Sequence, residues 1–459
     1  MKALPLALIL PVALAAGCSG DRDQPEPHGV YRISLPPARS PEALPASATL
    51  ADYLKYAEVR NPGVQAAYQR GQAAKERAPQ MRALPDPLLM YEYWGLQDTQ
   101  QQMLTVGQTI PWPGKLMLAG SQAEKEAQAE YQRYQIARLA LAYRVKNAYF
   151  EHWYLARAME IAKENAELAR GIEATARTRY QAALAEFADV IKAQVELSRM
   201  EDMVKELEAM RGPTIARLNA ELDRPAEAPL PAPQQAPPEE RLAVSETEVL
   251  SLLEQASPEL AAMDAEVAAA RDSVALAKRG PIPDLMLKAG AMTMKQDGME
   301  RDDGPQLGVG ITLPLWFGKY RAMRREAGAR LSAAEFSRRD TANRLGSDAK
   351  MALFGLRDAD RKASLYRDTI LPRAEQGLSA AHASYKAGKL PFIELVDAQR
   401  VLIQFRLDLA RTLANRAQRL AEVEMLAGRE LPKEAVPSPA EKPQKPEAPP
   451  AETSKEAKP

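Results

Sequence analysis

The sequence predicts a mainly α-helical chain with a small β part, built from a helix–strand pair–long helix–helix unit that is written twice. Three observations predict it. GQTIPWPGK at residues 107–115 is echoed by GITLPLWFGK at 310–319, a short apolar run stopped by proline and followed by Gly-Lys. Further pairs recur in the same order: Leu84-Pro85-Asp86 with Ile282-Pro283-Asp284, Tyr180-Gln181-Ala182 with Tyr385-Lys386-Ala387, and Ala193-Gln194 with Ala398-Gln399. Their offset drifts from 198 (85 to 283) through 204 (114 to 318) to 205 (180 to 385), which is what duplication with small insertions leaves. After each Gly-Lys, about 65 residues run without proline, Pro372 excepted, and at about 1.5 Å per residue a helix of that length reaches roughly 100 Å.

The elements follow in order. Residues 1–17 read as an export signal: one Lys, an apolar run too short to span a bilayer, then small residues. Cys18, the single cysteine, cannot form an internal disulfide, and the stretch from Leu14 to Ser19 resembles a bacterial lipoprotein box. That resemblance implies that Cys18 becomes an N-terminus carrying acyl chains such as palmitate, with Ser19 favouring the outer membrane. Residues 18–46 are a polar, Pro-rich tether. The first repeat spans 47–222: a helix over about 49–79, strands over Leu88–Leu96 and Met103–Ile110, then the long helix and a closing helix. A Pro-dense linker at 223–245 admits no helix. The second repeat, 246–430, repeats this grammar with a helix over 246–279 and strands over Leu285–Met294 and Leu307–Leu313. In the last of these, Leu307, Val309, Ile311 and Leu313 alternate with Gly308, Gly310 and Thr312. Residues 431–459 are Pro, Lys, Glu and Ala with little to bury and read as a disordered tail.

The closing helices carry matched seams. Val190, Ala193, Leu197, Met200, Val204 and Leu207 keep 3-4 spacing, and Leu395, Ala398, Leu402, Phe405, Leu409 and Thr412 keep it 205 residues later. Such a seam packs on neighbouring long helices. Four strands per chain cannot close a barrel, and an open sheet leaves two edges that lipid does not tolerate. Several chains must share the barrel; three would supply twelve strands, each long enough to cross a bilayer when tilted.

Composition excludes several classes. Lys plus Arg and Asp plus Glu stand at 61 each, so no charge excess points to a nucleic-acid partner. There is no Gly-rich phosphate loop and no paired Cys, and the three histidines (His28, His152, His382) are too scattered for a metal site or catalytic dyad. No enzyme, cofactor or metal centre is therefore expected, and His152, among Tyr149, Phe150, Trp153 and Tyr154, reads as a packing residue.

The duplicated order of elements around a Pro-rich linker, the two strand–helix junctions and the turns YQAALAEFADVIKAQ and YKAGKLPFIELVDAQ resemble the TolC-like outer-membrane efflux channels over roughly residues 47–428. The resemblance implies a homotrimer with a twelve-stranded outer-membrane β-barrel continuous with a periplasmic coiled-coil tunnel. It implies an outer-membrane, lipid-anchored location with most of the chain in the periplasm, and two protein partners, a periplasmic adaptor and an inner-membrane efflux transporter. The function implied is passive export of cargo.

At the junctions, Pro111 and Pro314 end strand pairing and suit a first helical turn, with Gly114 and Gly318 following. Trp112, Trp316 and Phe317 fit either a bilayer interface or corner packing. The resemblance places adaptor docking at the turns, on Tyr180, Ala183, Leu184, Tyr385, Gly388 and Leu390. Gly388 matches the usual glycine there and Ala183 departs from it. It places the pore constriction at Glu394 and Asp397, matched in the first copy by Asp189 and Lys192. Stacked acidic rings would favour cations, and a bridge from Lys192 to an acidic residue of the other copy would latch the closed state; solvated carboxylates at a helix start are the plain alternative. Met286, Met292, Met294 and Met299, with Met90, Met103 and Met117, suit soft metal ions as cargo, or fill irregular apolar space in a channel for organic solutes or drugs. The rival function is a non-conducting coiled-coil envelope scaffold, which has no use for the strands.

Overall fold

A computed structural model describes residues 44–45, 48–96, 99–296 and 299–435. The signal segment, Cys18, nearly all of the tether and the tail beyond residue 435 lie outside the described residues.

The first repeat opens with three helices where the sequence reading expected one: α1 (Leu50–Arg60), α2 (Pro62–Lys75) and α3 (Arg77–Arg82). Pro62 sets the first break, because proline cannot continue a helix but suits its first position, and the Asn61 side chain accepts from the Gly63 and Val64 amides. Strands β1 (Leu88–Leu96) and β2 (Thr99–Ile110) follow, then α4 (Pro113–Gln181), 69 residues without interruption. A tight turn leads to α5 (Phe187–Glu221). The second repeat reproduces the order. It runs α6 (Glu246–Ala256), α7 (Pro258–Arg279), β4 (Leu285–Gln296), β5 (Met299–Ile311), α8 (Phe317–Leu365), a π-helical turn (Tyr366–Ile370), α9 (Leu371–Lys386) and α10 (Phe392–Ala427). Its opening helix is broken at Pro258 as the first is at Pro62. Both copies start on a capping box, Thr49 with Asp52 and Ser245 with Glu248, which satisfies the orphan amides of the first turn.

The π turn explains the drift in the repeat. The offset between copies is 204 at the start of the long helices and 205 at their ends, so the second carries one extra residue. A π turn absorbs one residue without ending a helix. Pro372 follows at once, where the wider turn already lacks the hydrogen bond that proline would remove.

Two further differences concern the linker and the tail. A short strand β3 (Glu240–Leu242) inside the linker pairs antiparallel with β6 (Lys433–Ala435), and Leu431 is buried with Val249, Ala352, Leu353, Val423 and Ala427. The first residues assigned to the disordered tail therefore close the helical body, because Leu431 finds an apolar niche that composition alone does not reveal. The linker is tied down by Arg416, which is buried, pairs with Asp360 and donates to the Pro238 and Glu240 carbonyls.

The four long strands form one antiparallel sheet in the order β1-β2-β4-β5, so the two copies meet at β2 and β4, and among the described residues no further strand pairs with either outer edge. Helix α4 packs against α5, α7 and α10, and α7 lies between α4 and α8. The helical core uses small residues: Ala166 and Ala169 meet Met200 and Ile403, and Ala349 meets Leu253, Leu260 and Leu345. Alanine at the seams lets long helices approach closely along their length. Both predicted seams bury several of their positions, including Val190, Ala193, Met200, Leu395 and Leu402.

Candidate functional site

Three regions carry chemistry: the sheet, the strand–helix junctions and the turns at the far end of the long helices. Register sorts the sheet into two unlike faces. Leu89 lies opposite Val106, which lies opposite Ala289, which lies opposite Leu307; Tyr91, Leu104, Ala291 and Pro305 form the next row. Leu89, Tyr91, Leu307, Val309 and Ile311 on this face are all more than half exposed. An exposed apolar sheet face of this kind is costly in water and suited to lipid. The other face is less exposed and mixed, with Glu92, Gln101, Thr105, Lys288 and Gln306. Five of the methionines noted in the sequence, Met90, Met103, Met286, Met292 and Met294, occupy this second face; Met103 stands directly opposite Met292. The Gln306 Nε2 donates to the Met292 sulfur at 3.7 Å. Met117 is largely exposed on α4, and the Met299 side chain lies outside the described residues.

At the first junction α4 begins with Trp112 as N-cap and Pro113 as first helical residue. The Trp112 amide donates to Asp284 Oδ1 at 3.0 Å, and Lys115 Nζ donates to the same oxygen at 2.9 Å and to the Ile282 carbonyl at 2.6 Å. Arg279 donates to the Gly114 carbonyl at 2.9 Å and lies so near that a Cβ on Gly114 would meet its guanidinium at 2.6 Å. A side chain at Gly114 would therefore displace the Arg279 guanidinium, whereas Gly318 has open space around it. Pro111 and Pro314 both fall between strand and helix as expected. Asp284, the acceptor that ties the copies together, was visible only as the repeated Pro-Asp, with no sign of its partner.

At the far end the two turns are built alike. Leu184 and Lys389 donate to the Arg179 and Ser384 carbonyls, and Ala183 and Gly388 donate to those of Tyr180 and Tyr385, the 6→1 and 5→2 pattern of a Schellman cap. Both C′ residues are left-handed, Gly388 at φ 73° and Ala183 at φ 55°. Alanine there keeps the same turn at a strain of about 1 kcal/mol, so the departure at Ala183 does not change the geometry.

Arg179, which the sequence reading did not single out, joins the two turns. It donates to the Tyr385 carbonyl and, at 3.1 Å, to the Leu184 carbonyl, and its guanidinium lies 4.6 Å from the Tyr385 ring centre. Tyr385 is buried against Phe392, and burial pushes its hydroxyl above the ordinary tyrosine range. Of the six residues expected at a docking surface, Tyr180 and Leu184 are exposed, Leu390 is partly covered, and Tyr385 belongs to the core that holds the turns together. Phe187, packed on Tyr180, is a further exposed aromatic there.

The expected constriction residues separate. Glu394 is exposed in the first turn of α10, and Asp397 lies 3.7 Å from Arg400. Arg400 grips the buried Glu196 carboxylate through Nε at 3.1 Å to both oxygens, and this partner holds its guanidinium above the usual arginine range. Lys192 meets Asp189 of its own copy at 3.8 Å rather than an acidic residue of the second copy. The link between copies at this level is instead Glu196–Arg400, because the buried carboxylate is the one most in need of a partner. His152 is buried, and burial followed by the charge of Arg211 lowers its pKa to about 4, as suits a neutral packing residue. Among the described residues there is no cluster of three metal-binding side chains of the His, Cys, Asp or Glu type. Nor is any helix there long and apolar enough to cross a membrane.

An open apolar sheet thus lies at one end and capped helical hairpins at the other. Residues 249–429 match the family model described as outer membrane efflux protein. A stretch of 179 residues is 30% identical to the cobalt-zinc-cadmium resistance protein CzcC of Cupriavidus metallidurans, covering 38% of this chain and 40% of that one. The match thus spans about two fifths of that relative's length. The fold is similar to that of CusC, in a study of its folding and transmembrane channel formation, with TM-score 0.73 at 16% identity over 83% of this chain and 92% of that one. It is also similar to the outer membrane protein VceC of Vibrio cholerae, with TM-score 0.70 at 17% identity over 83% and 96% of the two chains. Part of the second repeat is thus similar to the outer membrane efflux proteins, and the fold is shared with the solved structures of CusC and VceC. The outer-membrane channel OprN shares the same fold, with TM-score 0.71 at 16% identity over 83% of this chain and 89% of that one.

Proposed function

We propose that the chain is the exit duct of a tripartite efflux assembly: three copies close a twelve-stranded barrel, and their helices form a tunnel through the periplasm. A periplasmic adaptor meets the turns at Tyr180, Leu184, Phe187 and Gly388, an inner-membrane transporter supplies energy, and the duct itself conducts passively. Acyl chains on Cys18 anchor each copy to the outer membrane. The observation that carries this reading is the sheet, apolar on one face and with no further strand on either edge among the described residues, continuous with helices far longer than a globular core requires. A coiled-coil scaffold has no use for such a sheet.

Soft metal ions are the cargo this reading favours. Filler methionines would belong on the lipid-facing side, yet the five strand methionines stand on the mixed face that would line the barrel. The relation to CzcC, named for cobalt, zinc and cadmium resistance, points the same way. Glu394 and Asp397, three residues apart at the start of α10, would present two acidic rings in a trimer, the lower one moderated by Arg400.

Conductance of the purified protein in a planar lipid bilayer tests the reading, with wild type compared to Glu394→Ala/Asp397→Ala. Discrete steps that grow, or lose cation preference, in the double variant are expected. Folded protein that never conducts would return the scaffold to first place.

A further inference from the structure

The junction is written twice in the sequence, but among the described residues the Asp–Lys–Trp contact is made once. Asp284 of the second copy accepts from Lys115 and from the Trp112 amide of the first. The same three parts exist again: Asp86 in the first Pro-Asp, Lys319 in the second Gly-Lys, and Trp316, which is the N-cap of α8 as Trp112 is of α4. Asp86 and Lys319 are exposed, and among the described residues neither has an ion pair. They stand at opposite ends of the sheet order, Asp86 just before edge strand β1 and Lys319 just after edge strand β5. One chain cannot bring them together; two chains can.

We propose, resting on the shared barrel above, that Asp86 and Lys319 are the halves of a clasp between copies. Asp86 of one copy takes the Lys319 ammonium and the Trp316 amide of the next. The β2–β4 pairing fixes the geometry, with Ile110 opposite Leu285. The repeat places Leu313 in the role of Ile110 and Pro87 in that of Leu285. Strand β5 of one copy then runs antiparallel to β1 of the next, with Ile311 opposite Leu89, Val309 opposite Tyr91 and Leu307 opposite Tyr93.

An independent feature agrees with this register. All six of those side chains stand on the apolar face of the sheet, so the pairing continues that face unbroken, whereas a slip of one residue would turn one strand's apolar set to the other side. On the opposite face, Gly310 and Gly308 would receive Met90 and Glu92. The charges are complementary, and each lies within one residue of the place at which its counterpart bonds, since Lys319 stands six residues after Leu313 and Lys115 five after Ile110.

Charge reversal tests the clasp in the full-length protein in detergent. Asp86→Lys and Lys319→Asp should each lower the temperature at which the oligomer falls to monomer on a mild SDS gel, and the double variant should restore it. The pair Leu89→Cys/Ile311→Cys, which leaves both charges in place, should form an intersubunit disulfide on oxidation, and Leu89→Cys/Gly310→Cys should not. Should a single reversal yield no folded protein, the cysteine pair decides. A stable wild-type oligomer with inert reversals and no register-specific disulfide overturns the clasp alone. A wild type that is never oligomeric overturns both the clasp and the shared barrel.

Discussion

Removing the Arg179 side chain isolates what holds the two turns together. In Arg179→Ala the Tyr385 and Leu184 carbonyls lose a charged donor, and the Tyr385 ring loses the cation beside it. Each hydrogen bond from a charged group is worth about 1 to 1.5 kcal/mol at this partial exposure, and the cation–ring contact adds about 0.5 to 1. Against this, the Arg179 Nε is buried without a partner, and its removal returns part of the loss. The net cost of about 2 to 3 kcal/mol corresponds to a roughly 30- to 160-fold larger population of separated turns. Amide exchange should report it directly: the Leu184 and Lys389 amides, which close the two caps, should exchange faster by that factor while amides at the middle of α4 stay protected. Arg179→Lys, which keeps the charge but cannot fork between two carbonyls, should fall between. Exchange at both turns within twofold of wild type would refute the reasoning, and would mean that the buried cluster of Val190, Phe392 and Leu395 carries the tip without Arg179.

Two other outcomes are expected. Because the folded pKa of His152 is lowered to about 4, its contribution is fully present above the unfolded value of about 6.5 and is lost as pH falls between them. About 3 kcal/mol is involved when the shift is fully felt, so the melting temperature of wild type should fall relative to that of His152→Leu between pH 7.5 and pH 4.5, and a constant difference would refute the buried neutral imidazole. Gly388→Ala should cost about 1 kcal/mol of local stability through its left-handed backbone, without disrupting the turn, since Ala183 already adopts the same cap; amide exchange at Lys389 measures it.

Much of the architecture was legible because the repeat doubled every local signal. The strand β1 was read to the residue, and the drift in offset located an insertion that the structure resolves as a π turn. The opening helices were read as continuous although Pro62 and Pro258 were in view, because the helical pattern resumes at once on either side of the break. At the candidate site the sequence identified both turns and both junctions but misjudged partners. Tyr385 stood out as an aromatic in a turn, and only packing against Phe392 makes it core.

By itself, then, the sequence determined the elements and their duplication, since periodicity, proline and glycine act over a few residues. Only the tertiary structure decided which charge answers which. Lys115 reaches Asp284, Arg400 reaches Glu196, and Arg179 spans two turns 206 residues apart at its Tyr385 contact. Charged side chains carry no periodic signature of their partners; a salt bridge is fixed by where the backbone brings two ends together, and that position is set by the packing of long helices over their whole length.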